Sequence, residues 1–358
     1  MLTDESPARR IVSLDQFRGY TVAGMLLVNF LGFNAVPAIL RHHNTYCSYA
    51  DTIMPQFFFA VGFAYRLTYL RRVQKSGWRE AVVAALHRNA GLLLLGLVFH
   101  HLDGDYKSWA DLQARGPWGV IASAFRREPF QALVHIALAS LWVLPVIGAG
   151  AGIRVAYLLA SAGLHLGLSW WFYLDWAWKT PVIDGGPLGF LSWSIPLLVG
   201  SLAYDAAAAA TDPRRLAARL TGWSVALMIA GYGLSCAKGW APPPFVPPST
   251  SHQVDLWTMS QRTGSIAYLT FSAGFSLAVY ALFVLLCDVG RFRSRVFGTF
   301  GVNALAAYLI HPIVGEAVKP FMPKDSPLWY VALGFILYFA ICYGFNRYLE
   351  KHKLFLKL

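Results

Sequence analysis

Apolar stretches about twenty residues long recur so often in this chain that they set its expected class before any motif is read. About ten such windows run roughly over 20–40, 51–70, 82–100, 132–149, 153–172, 187–204, 220–237, 264–287, 297–315 and 327–346. Each is near the length an α-helix needs to cross the hydrocarbon core of a bilayer. A broken eleventh falls within 102–131. The alternating segments of a membrane β-barrel are absent. Backbone groups in lipid must find partners inside their own segment, which leaves helices. Composition agrees: hydrophobic residues make up 56% and charged residues 13%, against about 25% charged in soluble domains. The expected fold is an all-α, polytopic integral membrane bundle of about ten transmembrane helices, or eleven, forming one domain over 1–358.

A formal charge of +12 raises the question of nucleic acid, but the distribution answers it. With ten spans, Arg9, Arg10, Arg71, Arg72, Lys75, Arg79, Arg88, Arg214, Arg215, Arg219, Arg291, Arg293, Arg295, Arg347, Lys351, Lys353 and Lys357 fall on one side, and a sparser basic set on the other. The positive-inside rule then puts both termini in the cytoplasm, with no nucleic-acid partner implied. The location expected is a bacterial inner membrane. The opening "MLTDESPARRIVSLDQFRGY" carries no cleavable signal pattern, so the first helix is expected to act as its own insertion signal. The four cysteines show no metal-binding spacing. Cys47 and Cys236 both fall on the outer side, where an oxidising compartment would permit a disulfide.

The stretch "RHHNTYCSYAD" (Arg41 to Asp51) interrupts two apolar windows with two histidines, an asparagine, a thiol and a carboxylate. Histidine is the side chain suited to taking and returning a proton near neutral pH. A carboxylate accepting from one ring nitrogen fixes the tautomer and makes the other nitrogen a better base. His43 and Asp51 form such a pair if the loop folds back; the alternative is a solvated loop. Asn29 lies inside the first window, and His311 follows Asn303 by about two helical turns in "GVNALAAYLIHP". Intramembrane polar groups serve either function or helix–helix bonding. Asn29, His43, Asp51 and His311 are expected to converge at one depth.

"HHLDGDY" (His100 to Tyr106) is a rival cluster. Adjacent histidines rarely face one ion, so outer-side substrate contacts by His101 and Asp103, or an ordinary polar loop, are preferred to metal binding. No metal site is expected. There is no phosphate-binding P-loop, no nucleophile elbow, no H-E-x-x-H and no dinucleotide fingerprint.

"RIVSLDQFRG" (Arg10 to Gly19) fits R-x-x-x-L-D-x-x-R-G, the opening of the first helix in the superfamily of transmembrane acyltransferases. "MLLVNFLG", a histidine loop and then "YADTIMPQFFFAVGFAY" (Tyr49 to Tyr65) resemble the heparan-alpha-glucosaminide N-acetyltransferase family within it, whose second helix reads A-D-x-x-x-P-x-F-x-F-x-x-G. The likeness returns weakly at "IDGGPLGFLSWSIPLLVG" (Ile183 to Gly200), and better at Ser265 to Phe283 and Phe300 to His311. The loop is about two residues shorter than the family pattern, and Tyr46 stands where tryptophan is usual.

The resemblance implies transfer of an acetyl group from cytoplasmic acetyl-CoA to the amino group of a glucosamine-type sugar on the outer face, by a membrane enzyme that forms a homodimer. It makes His43 the essential histidine, with His42 as runner-up, and carries over Asp51, Asn29 and His311 as catalytic positions. Arg71, Arg72, Arg88 and Asn303 are then expected to bind the acyl donor, and Asp184, His101 and Asp103 the sugar. The main alternative is a small-solute or proton-coupled transporter, in which the same polar residues bind cargo.

Overall fold

Wherever the sequence has an apolar window, the computed structural model has helix; it describes residues 11–32, 36–101, 108–126, 130–180, 182–248 and 254–356. The helices are α1 (Val12–Leu31), α2 (Tyr49–Ser76), α3 (Trp78–His101), α4 (Trp109–Arg126), α5 (Ala132–Ile147), α6 (Ala151–Leu168), α7 (Leu174–Lys179), α8 (Gly189–Ala209), α9 (Pro213–Ser235), α10 (Ile266–Phe283), α11 (Arg295–Val302), α12 (Ala304–Val318) and α13 (Leu328–Lys351). Among the described residues there is no strand, so the helical bundle expected from the sequence is what forms.

Ten spans are not shown: among the described residues, five helical segments are long and apolar enough to cross a membrane, Trp78–Phe99, Ala151–Lys179, Gly186–Ala209, Ile266–Val289 and Leu328–Lys351. The segment that joins α6 to α7 passes through a π-turn at Ser169–Tyr173. A sixth arises only if α11 and α12, bent by 97° at a short break, count as one span. The physical reasons for the shortfall differ. α5 has 16 residues, about 24 Å of helix against a core about 30 Å thick. α1, α2 and α9 carry charges along their length, including Asp15 and Arg18, Asp51 and Arg66, and Arg214, Arg215 and Arg219. Buried polar residues such as Gln16, Thr52 and Gln56 on α1 and α2 face other protein.

The chain divides into two compact units interleaved in sequence. One takes the chain up to Arg41, Ala209–Trp223 and Leu277 onward; the other takes His42–Ala208 and Ser224–Ser276. In the first, α1 packs on α11, α12 and α13. Ser294 caps α11 by accepting from the Phe297 N–H. The Gln16 amide grips Ser294 at both ends, donating to its carbonyl at 3.1 Å and accepting from its N–H at 2.9 Å. Phe17 meets Tyr280 edge-on.

In the second unit α2 packs on α3 and α5, and α3 on α5. α2 and α8 approach through a reciprocal glycine contact. A methyl group at Gly62 would run into the Leu197 carbonyl, and one at Gly200 into the Phe59 carbonyl. Backbone cannot yield as a side-chain tip can, so Gly200→Val is expected to cost about 3 kcal/mol, the upper end for overpacking. Thermal unfolding in detergent checks this; an unchanged midpoint would refute it. Farther along, Asp205 of α8 pairs with Arg66 of α2, Nε to Oδ1 at 3.0 Å, and with the fully buried Arg154 of α6. Arg154 also donates to the Ser201 hydroxyl at 2.7 Å.

Candidate functional site

α2 begins where it does because of a capping box. The Ser48 hydroxyl accepts from the Asp51 N–H, and the Asp51 carboxylate accepts from the Ser48 N–H at 2.9 Å. This arrangement satisfies two donors that a helix N-terminus otherwise leaves open. It also anchors Asp51 in one orientation, 1% exposed. Oδ2 takes the Ser48 N–H and hydroxyl, both at 2.9 Å, and Oδ1 is directed to the loop that precedes the helix.

The ring that meets Oδ1 belongs to His42, not His43. His42 Nδ1 lies 2.9 Å from Asp51 Oδ1. His43 reaches Asp51 through its backbone N–H, at 3.3 and 3.4 Å from the two oxygens, and its ring lies over Tyr46 with centroids 4.5 Å apart. The expected His43–Asp51 pair is therefore replaced by His42–Asp51. The loop folds back as required, but by donating the His43 N–H to the carboxylate it leaves the preceding side chain, not its own, beside Oδ1.

A third group closes on the same ring. Gln261 Oε1 lies 3.1 Å from His42 Nδ1, and Gln261 Nε2 donates to Asp184 Oδ1 at 2.6 Å. The amide orientation follows from chemistry, since the opposite one would set an oxygen against the Asp184 carboxylate. Nδ1 thus faces two acceptors and must carry the hydrogen, leaving the Nε2 lone pair to act as base. Burial by itself would lower the His42 pKa; the hydrogen bond and charge of Asp51, the charge of Asp184 and the bond to Gln261 outweigh it and hold His42 above the ordinary 6.5. Burial is the largest single effect on the ring, and the carboxylates and the amide together exceed it.

Asp184 is placed by the turn "IDGG". Asp184, Gly185 and Gly186 all have positive φ, at 56°, 82° and 57°, a conformation that aspartate tolerates better than most side chains. The turn is held by the Trp193 indole N–H on the Asp184 carbonyl at 2.7 Å, by the Tyr173 hydroxyl on the Gly185 carbonyl, and by the Gly185 N–H on the Arg262 carbonyl at 3.1 Å. The Tyr268 hydroxyl donates to the Asp51 carbonyl at 2.6 Å. The proline-rich segment is pinned to the histidine loop, with the Phe245 N–H on the Cys47 carbonyl at 2.7 Å. Beside that loop opens a cavity of about 150 Å³, lined by Thr45, Ser235, Lys238, Trp240, Asp255 and Thr258 among others. Lys238 and Asp255 face each other there at 3.8 Å.

The other expected residues are distributed as follows. Asn29 and His311 do meet, Nδ2 to Nε2 at 3.2 Å, while His311 Nδ1 donates to the Tyr308 carbonyl at 2.6 Å. In that form Nε2 accepts, so of the two it is Asn29 that has a further N–H to offer. This pair belongs to the first unit, and the His42 cluster to the second. Asn303 sits at the break between α11 and α12 and donates to the Leu354 carbonyl at 2.9 Å. Arg71 and Arg72 are exposed near the far end of α2, and Arg88 is half-buried on α3. Asp184 joins the His42 network. His101 closes α3, and Asp103 lies outside the described residues.

Cys47 and Cys236 are free thiols. Burial pushes the Cys47 thiol well up, and Asp51 adds to it, so the permitted disulfide gives way to an inert buried thiol. Among the described residues no group of three or more His, Cys, Asp or Glu is placed to hold a metal.

Two members of the site were missed at the sequence level. Ser48 had a readable signal, since Ser-x-x-Asp before an apolar run is a capping box. Gln261, 219 positions from His42, had none. Compared with models of protein families and with curated proteins, the chain matches none.

Proposed function

We propose that this chain is a membrane-embedded acyltransferase in which His42 is the general base, transferring acetyl from acetyl-CoA to the amine of a glucosamine-type sugar. The observation that carries the reading is the His42–Asp51 pair: a buried carboxylate at 2.9 Å holds Nδ1 and leaves Nε2 to accept a proton. The motif likeness across the first 70 residues supplies the donor and acceptor classes.

In the reaction the acceptor amine attacks the thioester carbonyl. The C–N bond forms as His42 Nε2 takes a proton from the nitrogen. The C–S bond breaks, and the CoA sulfur leaves as a thiol, taking back the proton that His42 held. Asp51 and Arg71 stand twenty positions apart on α2, about 30 Å along its axis. Arg71 and Arg72 at one end suit the phosphates of CoA, while Asp51 at the other orients the base. Charge asymmetry in the sequence favours the cytoplasm for the arginine end. The polar cavity beside Thr45 has room for one sugar ring.

The test is free CoA released from acetyl-CoA by the purified full chain with glucosamine present. His42→Ala is expected to lower release about 10²–10⁴-fold, the range for a general base, and His43→Ala to lower it less. The opposite ranking would move the role to His43. Absence of release by the unaltered protein, despite acetyl-CoA binding, would leave glucosamine as the wrong acceptor; absence of both would overturn the acyltransferase reading.

Solute transport is the second reading. In its favour stands the 97° break between α11 and α12 at Asn303, the geometry by which broken helices bind cargo. It predicts solute accumulation in vesicles without thioester consumption.

A further inference from the structure

Gln261 touches His42 and Asp184 at once, and neither the motifs nor the proposed chemistry gives it a task. His42 Nδ1 has two acceptors, Asp51 Oδ1 at 2.9 Å and Gln261 Oε1 at 3.1 Å. Gln261 is in turn held by its other end, where Nε2 meets Asp184 Oδ1 at 2.6 Å. Asp184 is 5% exposed and sits on a turn that three successive positive-φ residues and the Trp193 indole keep in place. An amide facing a buried carboxylate can point only its NH₂ toward it, so the oxygen is forced toward the imidazole. We propose that Gln261 is a positioning residue, locked by Asp184, that fixes His42 as the Nδ1–H tautomer and keeps Nε2 as the proton acceptor. This reassigns Asp184 from sugar contact to support of the base, and it rests on reading His42 as that base.

The groups around His42 make the inference specific. From α2 it faces Asp51. From the turn at 182–188 it feels Asp184. From the connection before α10 it faces Gln261. The neighbouring Arg262 guanidinium is turned to the Thr180 carbonyl and the Trp178 face. Asp51 alone would accept from Nδ1–H, but a lone acceptor leaves the ring free to pivot about one bond. Two acceptors on different elements define the ring plane as well. Removing Asp184 frees the Gln261 amide to turn its NH₂ toward Nδ1, which would favour the wrong tautomer and withdraw one negative charge.

Carbethoxylation of His42 by diethylpyrocarbonate, followed against pH on the full chain in detergent, reads this without any acyl transfer. The reagent attacks unprotonated imidazole. The tryptic peptide beginning at His42 reports the product, with fragment ions separating His42 from His43. The unaltered protein is expected to titrate above 6.5. Asp184→Asn and Gln261→Ala should each move the midpoint down by about half a unit, less than the roughly 1–3 units a directly contacting carboxylate supplies. Gln261→Glu, which keeps the shape and adds a charge, should move it up, and remains informative if the alanine variant fails to fold. Midpoints unchanged in all three variants, or a downward shift with glutamate, would overturn the proposal. Expected shifts in a protein that neither binds acetyl-CoA nor releases CoA would overturn the acyltransferase reading and leave this one standing. Loss of CoA release in Gln261→Ala with an unmoved midpoint would do the reverse.

Discussion

Asp51→Asn is expected to lower CoA release about 10⁴-fold while leaving the fold intact. The asparagine oxygen can keep the Ser48 bonds that start α2, while its NH₂ takes the place of Oδ1 and faces His42 Nδ1. That NH₂ opposes the Nδ1–H, with only Gln261 Oε1 left to hold it; in the tautomer the asparagine favours, Nδ1 accepts, the hydrogen moves to Nε2, and the base points its N–H at the amine it should deprotonate. An aspartate-to-asparagine change beside a catalytic histidine costs this much through the tautomer alone. Measured release with an unchanged unfolding midpoint checks it. A loss under about tenfold would mean that His42 does not work through Nε2. The pH dependence carries a definite sign. A base must be unprotonated, so release should rise with pH through a value above 6.5, as the raised His42 implies. The stability share of the pair runs oppositely. It is complete below the unfolded value near 6.5 and is lost as pH rises through the higher folded one. It should be small, because the ring is partly exposed.

Asp205→Ala is expected to destabilise the second unit by about 3–5 kcal/mol. Arg154 is fully buried and Arg66 nearly so, and both turn their guanidinium groups to this one carboxylate. Without it two positive charges face each other out of water, and breaking a buried pair from one side costs in that range. Changing Arg66 and Arg154 to Met and Asp205 to Leu together should recover much of the loss, since an apolar replacement of all three removes the charges and the desolvation penalty at once. Thermal unfolding in detergent separates the cases. A midpoint equal to that of the unaltered protein in Asp205→Ala would show that Asp205, which is itself part exposed, contributes little.

The apolar windows determined the helices, because a run of twenty apolar residues has few other ways to satisfy its backbone, and a helix found by period and length needs no partner to be recognised. The windows did not determine which helices are apolar enough to cross a membrane. α1 and α2 bury Gln16, Asp51, Thr52 and Gln56 against other protein, and whether a polar face meets lipid or a neighbouring helix is decided by packing. The histidine loop was legible as chemistry, and Asp51 as its carboxylate, because both lie within ten residues of one another. Which imidazole reaches Oδ1 was not. His42 and His43 are adjacent in sequence, and the choice between them turns on a backbone N–H that folds onto the carboxylate. Gln261 and Asp184 lay further out of reach, since an amide 219 positions away acquires its role only when the chain brings three connections to one point. Local patterns record what a segment can do alone; the tautomer of His42 is set by two acceptors on separate stretches of chain, one of them held by a third, and only the tertiary structure brings the two within 3.1 Å of one nitrogen.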